Sequence, residues 1–221
     1  MIAENATNIK NQINSANVTI VAVTKTQPVE RIREAVNTGL TVLGENRVQE
    51  AAEKIGLLAD LPVEWHLIGH LQTNKVKQAV AMFSLIQSVD SLKLALEINR
   101  QAAAVNKQQD ILLQINVAGE TSKFGIAPAQ ASAVAAELFA LPNIRLCGIM
   151  TIAPFFDQAE DTRPIFRQTR EIFERLNREM GRPEYFNRLS MGMTHDYLVA
   201  LEEGSNMVRI GSGIFGERQT R

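Results

Sequence analysis

The sequence predicts an α/β fold, a closed (β/α)8 barrel of the TIM type with one extra helix at its N-terminus. Three observations lead there. Eight short β-branched or apolar runs recur along the 221 residues, most of them followed by a polar turn and an amphipathic stretch. Several runs are apolar on consecutive residues rather than alternate ones, which suits strands covered on both faces, as in a parallel sheet. Eight is also the number at which such a sheet closes on itself. An open doubly wound sheet is the alternative.

In order, a helix over about residues 2–15 precedes the first strand, VTIVAVTK at 18–25. Pro28 then opens VERIREAVNTG, with Val29, Ile32, Ala35 and Val36 on one face and Gly39 as its stop. Strands follow at 41–46, 64–69 and 84–89. Asp90 precedes SLKLALEINRQAA, where Leu92, Leu96 and either Leu94 or Ala95 make a stripe. Further strands read at 110–117 and 144–152. Asp157 and Glu160 stand at capping-box spacing before the long helix through FRQTREIFERLNREM, which Gly181 and Pro183 end. The last strands cover 185–192 and 207–211, with His195 beginning the seventh helix between them. No linker or composition break intervenes, so residues 1–221 read as one domain.

Composition narrows the function. Lys and Arg total 23 against 24 Asp and Glu, a net charge of -1 that gives no sequence-wide field for nucleic acid. No apolar run approaches the ~18 residues of a membrane span. The N-terminus MIAENATNIKNQ lacks the apolar stretch of a signal peptide. A lone cysteine, Cys147, excludes an internal disulfide and a cysteine-based zinc site. A soluble cytoplasmic protein that binds neither membrane nor nucleic acid is expected, and the small domain is compatible with a monomer.

Barrels place their sites at the C-terminal ends of strands. Here those ends read Thr24-Lys25, Glu45-Asn46-Arg47, Gly69-His70-Leu71-Gln72, Gly119-Glu120-Thr121-Ser122-Lys123, Ser190-Met191-Gly192 and Arg209-Ile210-Gly211-Ser212. Lys25 closes an apolar strand; desolvation there would favour a neutral amine able to form a Schiff base. A solvated strand-end lysine is the plainer alternative. Gly211, Gly213 and Gly216 have the G-x-G-x-x-G spacing, but too little chain follows for a dinucleotide-binding βαβ unit. Gly211-Ser212-Gly213, beside Ser190-Met191-Gly192, fits the phosphate site that barrels often carry after strands seven and eight. Arg209 would point inward near that turn and needs either a carboxylate or a ligand acceptor. His66, His70 and His195 have no metal-ligand spacing, so no metal is expected. Glu45 could be a general base, with no second carboxylate at readable spacing.

The motifs VAVTK, GENRVQE, WHLIGHLQTNK, SKFGI, GIMTI, RLSMGMTHDY and VRIGSGIFGER run in order from about residue 18 to 218. Through them the sequence resembles the pyridoxal phosphate homeostasis protein family, whose barrel is related to the N-terminal domain of alanine racemase. The resemblance implies that Lys25 holds pyridoxal 5'-phosphate (PLP) as an internal aldimine. It implies phosphate contacts from Ser190, Gly192, Gly211 and Ser212, Arg209 facing the pyridine nitrogen, and Asn46 and Met150 lining the ring. Thr194-His195 and Gly213 are small departures; Gly213 could loosen the phosphate turn.

An arginine at the ring nitrogen keeps it unprotonated and weakens the ring as an electron sink. The chain also ends at Arg221, without the second β-domain that supplies the racemase's opposing base. The expected function is therefore a PLP carrier or regulator in vitamin B6 and amino-acid balance, with no catalytic residue. Its partners would be PLP and, as recipients or sensors, apo-PLP enzymes or a regulatory protein. The alternative is a PLP-dependent amino-acid racemase or decarboxylase using Lys25. From the barrel and its lysine alone, a Schiff-base aldolase acting on a sugar phosphate is a third reading.

Overall fold

Strands that are apolar on both faces leave no side for water, and the chain meets that demand by closing the sheet. The computed structural model describes residues 1–120, 123–181 and 183–217. Its strands are β1 (Thr19–Val23), β2 (Val42–Glu45), β3 (Glu64–Leu67), β4 (Leu85–Val89), β5 (Gln109–Gln114), β6 (Ile144–Met150), β7 (Arg188–Met193) and β8 (Met207–Ile210). They pair in parallel in sequence order, and β8 returns to β1 with Val21 opposite Arg209. The barrel expectation holds, and the open sheet does not.

The helices are α1 (Ile2–Ile13), α2 (Val29–Asn37), α3 (Val48–Leu57), α4 (Val76–Met82), α5 (Leu92–Ala103), α6 (Ala131–Phe139), α7 (Arg163–Glu179), α8 (Tyr197–Glu202) and α9 (Ser212–Phe215). The helix after β8 has only 4 residues, too short to cover the β8–β1 seam. α1 takes that place. It buries Ile2, Ala6 and Ile9, donates from Asn5 Nδ2 to the Ile214 carbonyl, and is bonded from Tyr197 Oη on α8 to Gln12. The extra N-terminal helix thus completes the outer ring.

Two cores result. Val21, Val23, Ile68, Leu85, Leu112, Cys147, Met150 and Met207 pack together inside the barrel. A larger core, including Ala22, Leu43, Ile86, Ile111 and Ile149, lies between sheet and helices. Alternation along each strand sends one residue to each core, the physical content of the consecutive apolar runs.

Several boundaries differ from the sequence reading. The Asp157–Glu160 box does not form: a 3₁₀ turn at Ala159–Thr162 leads straight into α7, and Glu160 pairs with Arg163 instead. A proline in the first turn of α7 has no N–H to be capped. Ser91 caps α5 by accepting from Leu94 N at 3.3 Å, and Asp90 before it holds His70. α8 starts at Tyr197 rather than His195, and β7 starts at Arg188 because residues 185–187 belong to the turn before it. Thr121 and Ser122 of the loop after β5, and Arg218 of the last motif, lie outside the described residues.

Gly148 shows how tightly the wall is built. Its φ is +151°, and a Cβ there would stand 1.8 Å from the Arg188 carbonyl oxygen on the neighbouring strand. Gly148→Ala should cost about 3 kcal/mol through strain and overpacking, lowering the melting temperature by roughly 10 °C. Gly56→Ala in α3 meets nothing within 4 Å and should add about 0.5 kcal/mol from helix propensity. Melting curves of both variants check this; equal melts would contradict the packing described.

Candidate functional site

β1, β7 and β8 end around a cavity of about 340 Å³ whose walls include Lys25, Gln27, Thr194, His195, Arg209 and Ser212. Lys25 lies two residues beyond β1, in a turn closed by Gln27 N donating to the Thr24 carbonyl at 3.0 Å. The turn is sharp because Thr26 adopts a left-handed φ of 63°.

Arg209 enters from β8. It is 3% exposed and sits inside the barrel beside Val21 of β1. Nη1 donates to Ser190 Oγ at 2.5 Å and Nη2 to the Thr151 carbonyl at 2.7 Å. Both acceptors are neutral. Among the described residues no carboxylate forms an ion pair with it; Asp196 only draws on it at longer range. Burial pushes its pKa down to about 10. Of the two partners open to this arginine from sequence, no carboxylate is paired with it among the described residues. A buried cation with neutral protein partners is a ready site for an electron-rich ligand atom.

The hydrogen bonds continue through the barrel. Ser190 Oγ donates to Gln87 Oε1 at 2.7 Å, and Gln87 Nε2 lies 3.1 Å from His66 Nδ1. Burial holds the His66 pKa down, so the ring is neutral and its Nδ1 accepts from the amide. Its Nε2 stands 3.8 Å from the Glu64 carboxylate at the other end of the barrel. Every link from Arg209 to His66 runs donor to acceptor in one direction.

Gly211-Ser212 leaves β8 at the mouth as expected, whereas Ser190-Met191-Gly192 lies inside β7 and the turn after that strand begins at Thr194. The hydroxyl of Ser190 is taken up by Arg209 and Gln87 inside the barrel. Thr194 is the hydroxyl that reaches the last turn: its Oγ1 accepts from Gly211 N at 3.3 Å and Gly213 N at 3.2 Å. One oxygen thus rests on two backbone donors beside Ser212. Gly192, φ +93°, brings the end of β7 against α8; a Cβ there would be 2.6 Å from Ala200 Cβ. That close approach sets Thr194 over the turn.

Lys25, Arg209, Gly211 and Ser212 therefore meet around one cavity. Asn46 is not among the residues lining that cavity; it lines a separate hollow of about 270 Å³ with Gly69, His70, Asn116 and Phe124. There His70 Nδ1 is 2.8 Å from Asp90 and its ring stacks on Phe124 at 3.7 Å. Met150 is buried inside the barrel beneath. Gln27, Thr194 and His195 are cavity residues that the sequence reading did not assign; only the departure at Thr194-His195 pointed to them. Cys147 is buried, with burial raising its thiol pKa to about 11, an inert core side chain. Among the described residues no three His, Cys, Asp or Glu side chains are grouped to hold a metal. None of the helices among them is long and apolar enough to cross a membrane.

The family model described as the alanine racemase N-terminal domain matches residues 1–219. The pyridoxal phosphate homeostasis protein of Aquifex aeolicus (strain VF5) is 46% identical over 200 residues, covering 90% of this chain and 87% of that one. The protein of that name from Schizosaccharomyces pombe is 38% identical over 215 residues, covering 96% and 89%. PipY of Synechococcus elongatus PCC7942, solved with PLP bound, is 36% identical with a TM-score of 0.90, covering 98% of this chain and 100% of PipY. Alanine racemase of Clostridium difficile 630 shares the fold at 19% identity and a TM-score of 0.80; the match covers 99% of this chain and 57% of the racemase. With nearly full-length matches to proteins of that name, this chain belongs to the pyridoxal phosphate homeostasis protein family, built on the alanine racemase N-terminal domain.

Proposed function

We propose that this protein binds PLP on Lys25 without catalysing a reaction of its own, and serves intracellular PLP homeostasis and amino-acid balance. The observation that carries the reading is the cavity where Lys25 meets Arg209, a buried cation bonded only to neutral groups. That PipY, similar over nearly the whole chain, is solved with PLP supports it.

The residues fit the cofactor. PLP needs an amine for its aldehyde, a donor for its ring nitrogen and several donors for its phosphate. Lys25 supplies the first and Arg209 the second. The hydroxyls of Ser212 and Thr194, with the backbone at Gly192 and Gly211, supply the third; Ser190 stands beside them with its hydroxyl held by Arg209 and Gln87, and Asn46 and Met150 line the ring in this reading. Lys25 would offer its amine to the PLP aldehyde, and the bound cofactor would supply an electron-withdrawing pyridine ring. Arg209 limits that withdrawal, because a permanently charged donor leaves the ring nitrogen unprotonated. The site then retains cofactor more readily than it stabilises a carbanion. In this reading the chain acts in the cytoplasm as a single domain and a monomer, exchanging PLP with apo-PLP enzymes or a regulatory protein.

Lys25→Ala should abolish the visible absorbance of protein mixed with PLP and leave the apo-protein's melt within about 1 kcal/mol of wild type, since the side chain lies outside the core. A variant that keeps the band would place the cofactor on another lysine.

Arg209→Met tests the buried cation. Exchanging a buried charge that has no ion pair for an apolar side chain of similar length removes a desolvation cost but also the bonds to Ser190 and Thr151, so apo stability should fall by no more than about 2 kcal/mol. The absorbance of bound PLP should change, because the donor at the ring is gone. A loss of about 3–5 kcal/mol in the apo melt, with the PLP spectrum unchanged, would make Arg209 a structural residue instead.

A further inference from the structure

Directly behind Lys25 lies an ionic cluster that the binding site does not use. Lys54 on α3 is 7% exposed. Its Nζ donates to the Thr24 carbonyl at 2.6 Å, to Glu45 Oε1 at 2.7 Å and to Glu50 Oε1 at 2.6 Å. All three ammonium protons are therefore committed. Glu45 is fully buried and also accepts from Thr24 Oγ1 at 2.6 Å. Glu50 also accepts from the backbone N–H of Thr26 at 2.5 Å. Thr24 and Thr26 are the two neighbours of Lys25, and both are gripped by the same cluster.

Stability alone does not account for this arrangement. Burying an ammonium and a carboxylate costs desolvation that a pair seldom more than recovers, and apolar side chains of the same volume do as well or better. The pairing is also incomplete. Glu45 Oε2 is buried with no hydrogen-bond partner, and burial pushes the Glu45 carboxyl above its usual range. What the cluster does achieve is geometric. It fixes the carbonyl before Lys25 and the N–H after it, and holds Thr26 at a φ that non-glycine residues seldom adopt.

We propose that Lys54, with Glu45 and Glu50, is the positioning group for Lys25, holding the peptides on either side so that the lysine stem is directed into the cavity. The proposal rests on the reading of Lys25 as the PLP-binding amine. It separates two parts of binding: the cluster acts on the attachment to Lys25 and leaves the phosphate turn of β7 and β8 untouched.

Two ligands read these parts separately. PLP engages both the lysine and the phosphate turn. Pyridoxine 5'-phosphate has the same phosphate and ring but an alcohol in place of the aldehyde, so it cannot join the lysine. Titrated into Lys54→Met, PLP should bind about tenfold more weakly than to wild type, from loss of orientation at the amine. Pyridoxine 5'-phosphate should bind within about twofold of wild type, because its phosphate contacts are unchanged. Glu50→Gln, at a side chain 25% exposed, serves where Lys54→Met does not fold and should shift the ratio of the two affinities in the same direction. Equal weakening of both ligands, or no change in either, would overturn the positioning role. Wild-type protein that bound neither would instead overturn the PLP reading, and the positioning role with it.

Discussion

Closure between β1 and β8 is the constraint on which the site depends. Val21 pairs with Arg209 and Ala22 with Ile210, so the ends of the first and last strands arrive at the same corner of the mouth. Residues almost the length of the chain apart thus share one cavity: Lys25 from the turn after β1, Arg209 and Ser212 from β8 and the turn beyond it. An open sheet would leave β1 and β8 at different places and could not build that corner. α1 belongs to the same constraint, since it covers the seam that the 4-residue α9 is too short to cover.

The barrel interior departs from a purely apolar filling, and the departure leads to the mouth. His66, Gln87, Ser190 and Arg209 are all buried, linked in a hydrogen-bond series. Buried polar groups are tolerable where each finds a partner. Here the amide of Gln87 is satisfied at both ends, by Ser190 and His66. The guanidinium ends the series with neutral partners only, so its charge is left for whatever enters the cavity.

The barrel was legible because the physics that shapes its strands acts locally. Consecutive apolar residues in VTIVAV and IRLCGIM mark a chain covered on both faces whatever surrounds it. Lys25 and the Gly211-Ser212-Gly213 turn were legible for a related reason: their place at strand ends follows from the strand pattern. Thr194 was not, because its hydroxyl matters only once β7 and β8 are neighbours. Lys54 was hidden more deeply. A lysine at the fourth position after a glutamate in a helix reads as a solvated surface pair. Only the fold shows α3 turning Lys54 inward onto Thr24 and Glu45. Glu45, read from sequence as a possible general base, is instead paired in the fold with Lys54, which also holds Glu50. The capping box at Asp157 was misplaced for a simpler reason. The carboxylate stood near a helix start, but a 3₁₀ turn lay closer to it.

The central claim is that this cavity holds its ligand through Lys25. Borohydride reduction of protein loaded with PLP, followed by peptide mass spectrometry, tests it most directly. The account predicts a single reduced adduct on the peptide that contains Lys25. An adduct confined to another lysine, or no adduct on protein saturated with PLP, would contradict it.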